Sequence, residues 1–344
     1  MRWDILSRMN STLLINPRTT ASAACALVYR LGGLAALSLG LVYTTQSEAT
    51  PNTVQEIVPG VWFREGDIQK EGHCNNVLIE MKDYLIVVDA NFPSGARLAA
   101  ADAKRLSKKP IKYVFDTHHH GDHAYGNAVW TAMGAKTLAH IGVAQEMKRY
   151  EPKRWAEANR KDVSELKRTT AEPPQQTFDK TPFVLDDGSR RVEFHFFGWA
   201  HTRGDGFVYL PKEQVLATGD AIANGPFNFM GDAHVANWPK VVEAAAKRPV
   251  RHLLPGHGRP GGMEIATGQK AFLRELYAGV QGMVKSGKTV DDIQKMGMGK
   301  TLAGALRFSP EAKGWVGDGL AGQAVVVAEE IIQKKPHGEI AGGK

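Results

Sequence analysis

An α/β fold with a helical carboxyl-terminal extension is predicted by three features of the 344-residue sequence. Short apolar runs rich in β-branched and aromatic residues alternate with segments of helical spacing. Several of these runs stop at a small or turn-permissive residue that is followed within a few positions by histidine or aspartate. Beyond Gly262 the strand signal fades, and apolar residues recur at helical spacing instead.

In chain order, Val58–Arg64 and Asn76–Met81 read as an antiparallel pair of strands, and Tyr84–Val88 as a strand buried on both faces. Ser94 opens a helix through about Leu106, with Leu98, Ala101 and Arg105/Leu106 on one stripe. Ile111–Phe115 is the next strand, followed by a helix over Gly126–Met133 and a strand over Lys136–Ala139. Residues 143–172 are charged and helical in pattern, ended by Pro173-Pro174, and serve either as a surface helix or as a cap over a site. Phe183–Leu185 and Arg191–Phe197 form strands joined by an Asp-Asp-Gly turn. Gln214–Ala217 and His252–Leu254 are further short strands. Helices follow over Ile265–Lys285, after the N-cap Thr289, and over Gln323–Lys334, leaving His337–Lys344 as a frayed end.

The amino terminus reads as a targeting segment. Leu31–Tyr43 is an apolar or small-residue run behind Arg30, and Ser47-Glu48-Ala49 supplies a small-x-small exit. Residues 1–49 are therefore expected to be a removed signal peptide, with Met9 as an alternative start and the mature chain exported to the periplasm or secreted. The competing reading is an uncleaved anchor over residues 21–43, in which a near-central Arg30 would cost about 2.5–3.5 kcal/mol; only then would the chain meet a membrane. Removing the leader leaves 39 basic and 34 acidic residues, because residues 1–49 hold four arginines against Asp4 and Glu48. That excess of five is spread along the chain without a dense basic block, so no nucleic-acid partner is indicated. Cys25 lies in the leader, so Cys74 alone remains and no internal disulfide can form. Cys74 is expected to be a small buried residue, with a reactive thiol at the pocket edge as the alternative.

The chemistry is concentrated at residues 112–123, Lys-Tyr-Val-Phe-Asp-Thr-His-His-His-Gly-Asp-His. An apolar β run feeds into His118-x-His120-x-Asp122-His123, and neutral imidazole with carboxylate is the donor set that holds zinc or a similar divalent ion. A strand that ends and turns can aim alternate side chains at one point. His118 and His120 would then share one metal, and Asp122 and His123 would reach a second about 3.5–4 Å away. His119, between ligands, should face away. Three later segments repeat the device: Arg191–Phe197 leads to His201, Gln214–Ala217 to Asp220, and His252–Leu254 to His257. Sites in α/β architectures gather beyond the carboxyl ends of strands. His73, His140, His195, His234 and His252 lack partner spacing and read as structural. The glycine- and aromatic-rich stretch 224–234 is expected to form a pocket wall, with Phe227, Phe229 and His234 as substrate contacts.

Taken together, His118, His120, Asp122, His123, His201, Asp220 and His257 resemble the signature of the metallo-β-lactamase superfamily over about residues 55–260, supported by Val-Val-Asp-Ala at 87–90 and Leu-Pro-Gly-His-Gly at 254–258. The resemblance implies a four-layer αββα sandwich over residues 50–264, with residues 265–344 as the helical extension. It implies that His118, His120 and His201 hold one metal, that Asp122, His123 and His257 hold a second, and that Asp220 bridges them. It also implies two divalent ions, zinc before iron or manganese. Aspartate at 220 is similar to glyoxalase II and lactonases, whereas the β-lactamases of the family carry cysteine or serine or otherwise lack the bridging aspartate. The expected function is hydrolysis of an ester, thioester, lactone or related bond in a small-molecule substrate by a metal-bridging hydroxide, with Asp122 orienting that nucleophile. Lactam hydrolysis, a mononuclear iron enzyme of the persulfide dioxygenase type and a non-catalytic metal-binding protein are the alternatives. Asp89 is expected either to fix the ligand loop or to be an ordinary strand-end carboxylate. Arg203 stands where the family often has proline, and could face an anionic substrate or solvent.

Overall fold

The computed structural model describes residues 50–299 and 301–341, so the leader at residues 1–49 lies outside the described residues. No helix among the described residues is long and apolar enough to cross a membrane. Two sheets carry the fold. The first runs in spatial order β1 (Val54–Val58), β2 (Val61–Arg64), β3 (Asn76–Glu80), β4 (Leu85–Val88), β5 (Ile111–Asp116), β6 (Lys136–His140) and β7 (Gln176–Phe178). Its strands are antiparallel from β1 to β4 and parallel from β4 to β7. The second sheet orders β8 (Phe183–Asp186), β9 (Arg191–Phe196), β10 (Gly206–Leu210), β11 (Val215–Gly219) and β12 (His252–Pro255) as β12-β11-β10-β9-β8. Only the β11–β12 pair in it is parallel.

Alternation along the strands sends one set of side chains between the sheets, where Phe63, Ile79, Ile86 and Phe115 meet Phe194, Val208, Leu210, Ala217 and Leu254. The outer face of the first sheet (Leu78, Leu85, Val87, Val114) is covered by helices Pro93–Leu106 and Asn127–Ala132. The outer face of the second (Phe207, Tyr209, Leu216, Leu253) is covered by helices Trp238–Ala246, Met263–Lys285 and Leu320–Gln333. Four layers, helix–sheet–sheet–helix, follow. The αββα expectation is met, and the helical extension completes the outer layer over the second sheet.

Several elements differ from the sequence expectation. The strand expected over Val58–Arg64 is broken at Pro59-Gly60, where Gly60 has φ +76° and a hairpin turn joins β1 to β2. Strand β10, with all five residues buried, was not anticipated, although its continuous apolar run is of the same kind as Tyr84–Val88. The charged stretch 143–172 is not one helix but three short ones, Ile141–Tyr150, Lys153–Glu157 and Lys161–Ser164. The end expected to fray forms a helix over His337–Ala341, with His337 buried.

Candidate metal centre

Strands β5, β9, β11 and β12 all deliver their following residue to one edge of the sandwich. Beyond β5 the chain passes Thr117 and turns at His120, which precedes a single helical turn over Gly121–Ala124. This turn separates the motif into two sets. His118 Nε2 and His201 Nε2 lie 3.1 and 3.0 Å from His120 Nδ1. On the other side, His257 Nε2 lies 3.1 Å from Asp122 Oδ2 and 3.4 Å from His123 Nε2. Asp220 sits between them: its Oδ2 is 3.9 Å from His118 Nε2, 3.8 Å from His201 Nε2 and 3.3 Å from His257 Nε2, while Oδ1 is 3.4 Å from His123 Nε2. All seven side chains singled out in the sequence thus converge.

Their spacing fits divalent metal. Nitrogens bound tetrahedrally to zinc at about 2.0–2.1 Å stand roughly 3.3 Å apart, close to the separations within the His118, His120 and His201 set. Asp220 Oδ1 is buried with no hydrogen-bond donor, an orphan that a cation would satisfy. The space around it is kept by glycine. A Cβ on Gly256 would stand 2.3 Å from Asp220 Oδ1, and one on Gly219, whose φ is +50°, would stand 2.3 Å from Thr117 Oγ1.

Each imidazole is oriented by the chain. Thr117 Oγ1 lies 3.0 Å from His118 Nδ1, and His201 Nδ1 lies 2.9 Å from the Phe229 carbonyl, which turns both Nε2 atoms inward. His120 presents Nδ1 to the cluster because its Nε2 is held 2.8 Å from Asp232 Oδ2. Asp89, at the end of β4, accepts from the Thr117 backbone through Oδ1 at 2.8 Å, and its Oδ2 lies 2.9 Å from His123 Nδ1. The loop-fixing reading of Asp89 is the one its contacts support. Such outer carboxylates set the tautomer and raise the basicity of a ligating histidine.

The protein's own electrostatics separate the two sets. Burial and the neighbouring imidazoles hold His118 well below the usual histidine range, and burial with His120 lowers His201 to about 3. These rings are neutral, with lone pairs free to ligate. For His257, burial alone would lower the pKa, but Asp220 and Asp122 raise it to about 9. Asp122 and Asp220 are held below the carboxylate range by His123 and His257, against the cost of burial.

Outside this cluster, His119 turns to Asp232, 3.4 Å away, and stacks on Tyr150. Phe229 is half exposed, its ring 5.4 Å from that of His120; the ring of Phe227 is 5.5 Å from that of His257. His234 does not join them: its ring lies T-shaped on Trp199 at 5.7 Å. Arg203 neither meets the cluster nor stands free, since Nε is 3.1 Å from Glu146 Oε1 and the guanidinium covers Trp199. Cys74 is fully buried and pushed up to about 12, chiefly by burial, so it is a packed thiol. The residues missed in the sequence are Asp232 and Arg154, whose guanidinium grips Asp232 through both nitrogens at 2.7 and 2.8 Å. Arg154 comes from the charged stretch 143–172, which thereby braces the metal edge.

Comparison with known proteins gives a consistent picture. A model of the metallo-beta-lactamase superfamily matches residues 70–257. A protein of Bacteroides fragilis called metallo-beta-lactamase type 2 is 28% identical over 34% of this chain and 49% of its own length, so the chain spans about half of that relative. A protein of the same name from Bacillus cereus is 26% identical over 54% of this chain and 68% of its own. Among solved structures, a metallo-beta-lactamase from Pontibacter korlensis superposes with a TM-score of 0.53 at 21% identity, covering 64% of this chain and 98% of that one.

Proposed function

Because the chain belongs to the metallo-beta-lactamase superfamily, whose members are metal-dependent hydrolases, we propose that it hydrolyses an ester, thioester, lactone or related bond at a dinuclear centre. The observation that carries this reading is Asp220, whose Oδ2 faces both ligand sets at once. His118, His120 and His201 would hold one ion, Asp122, His123 and His257 the other, and Asp220 both. Two divalent ions, zinc foremost, would supply an acidified water near neutral pH and polarise the carbonyl under attack. Asp122, the most open carboxylate of the cluster at 20% side-chain exposure, would orient that water while holding its ion. Attack would form the bond from the water oxygen to the carbonyl carbon and break the bond to the leaving oxygen or sulfur, which would depart with the water's proton. Phe227 and Phe229 border the two ligand sets and are the proposed substrate contacts. Export after removal of residues 1–49 is part of this reading.

A second reading, lactam hydrolysis, is favoured by the names of the relatives. A panel of ester, thioester, lactone, lactam and phosphodiester substrates, run on wild type and Asp220→Ala, separates them. Turnover of carbonyl substrates that collapses in the variant supports the proposal. Lactams turned over best would favour the second reading, and equal rates in both proteins would overturn the hydrolytic assignment.

A further inference from the structure

The segment Phe227-Asn228-Phe229 is held from behind by the helical extension. Asn228 is 2% exposed. Its Oδ1 accepts from Gln269 Nε2 at 2.8 Å, and its backbone carbonyl accepts from Gln323 Nε2 at 2.7 Å. Gln269 belongs to helix Met263–Lys285 and Gln323 to helix Leu320–Gln333, and both are buried. On either side of this segment, Trp315 Nε1 donates to the Ala223 carbonyl at 2.8 Å, and His337 Nδ1 lies 2.7 Å from the Gly231 carbonyl. Buried amides are costly unless paired, so this contact fixes the segment in one position. On the opposite side, Phe227 faces His257 and Phe229 faces His120 and His201.

We propose that the extension is part of the substrate site: the Asn228–Gln269–Gln323 amide clamp sets an aromatic wall beside both halves of the metal centre, and this wall selects neutral substrates with an apolar group next to the scissile bond. Half-exposed phenylalanine beside a polar cluster is surface that gains by covering an apolar group. Arg154 is gripped by Asp232 and Arg203 by Glu146, so neither offers itself to an anion, and Arg259, two residues past His257, lines a cleft with Thr50, Gln55 and Glu65 instead. Gln323 and Gln269 act as positioning residues, through Asn228. The proposal rests on the hydrolytic reading.

The test uses metal-loaded full-length protein and p-nitrophenyl esters of straight-chain acids from acetate to octanoate, with a hemiglutarate ester as the carboxylate-bearing counterpart. The expected result for wild type is kcat/KM rising about tenfold or more along the series and staying low for the hemiglutarate. Phe229→Ala, at a half-exposed position that does not threaten folding, should flatten the series, bringing kcat/KM for octanoate down towards that for acetate. Gln323→Met, at a side chain that bonds the Asn228 carbonyl and none of the seven proposed ligands, should flatten it likewise with unchanged metal content and a preserved near-ultraviolet circular dichroism spectrum. Equal chain-length dependence in wild type and Phe229→Ala, or a preference for the hemiglutarate, overturns this inference while leaving hydrolysis intact. Loss of the chain-length dependence in Phe229→Ala alone refutes the clamp. Absence of turnover with every ester, lactone, thioester and lactam would overturn the hydrolytic reading and this inference together.

Discussion

Asp232 Oδ2 lies 2.8 Å from His120 Nε2, and the same carboxylate takes both guanidinium nitrogens of Arg154. Burial opposes its charge, yet His119, His120 and Arg154 hold it far below the ordinary carboxylate range. His120 is thereby fixed with Nδ1 inward. Asp232→Asn keeps the shape and removes the charge, so metal affinity should fall about 10–100-fold, with little change in KM for substrates turned over by the loaded enzyme. Competition with a chromogenic chelator reads this directly; unchanged affinity would show that Asp232 has no part in orienting His120.

Gly256 is predicted to be irreplaceable at the metal edge. A Cβ there would meet Asp220 Oδ1 at 2.3 Å and His123 Cε1 at 3.0 Å. Gly256→Ala should lower bound metal to about one ion or fewer per chain while the purified protein keeps its far-ultraviolet circular dichroism. Two ions per chain in the variant would mean that the carboxylate has room to move.

Metal uptake should depend on pH. His257 has a folded pKa of about 9 against an ordinary 6.5, raised by Asp220 and Asp122 over the opposing effect of burial. Its protonated pairing therefore contributes stability fully below about pH 6.5 and loses it as pH rises through about 9. A metal must displace that proton, so apparent affinity should rise with pH by up to about tenfold per unit through this window. Calorimetry in buffers of different ionisation enthalpy measures the released protons; uptake that is flat with pH would contradict the assignment.

Phe115 joins the sheets, with its ring 4.7 Å from Phe194 and no solvent exposure. Phe115→Ala should cost about 3–5 kcal/mol, seen as a lower urea midpoint. Because β5 also carries His118 and its neighbours, metal content should fall in the same variant.

The convergence of the seven side chains was legible because they follow strand runs and turn residues, a pattern carried by neighbouring positions along the chain. Arg154 and Asp232 were not, because what defines them is a contact between segments 78 residues apart; neither has a spacing that marks it. Asp232 lies in the stretch 224–234 that reads as pocket wall, where His234 carries the more conspicuous side chain, yet that ring is spent on Trp199. Strand β10, Gly-Phe-Val-Tyr-Leu, is buried throughout like Leu85–Val88 and was open to the same reading. The hairpin at Gly60 left a Pro-Gly signal that a longer apolar run concealed.

The central claim is that Asp220 joins two metal-binding sets into one centre. Counting metal per chain by elemental analysis, after purification without added metal and again after zinc loading, tests it on wild type and Asp220→Ala. The account predicts about two ions per loaded wild-type chain and at least one ion fewer in the variant. A single iron in wild type, or equal stoichiometry in both proteins, would contradict it.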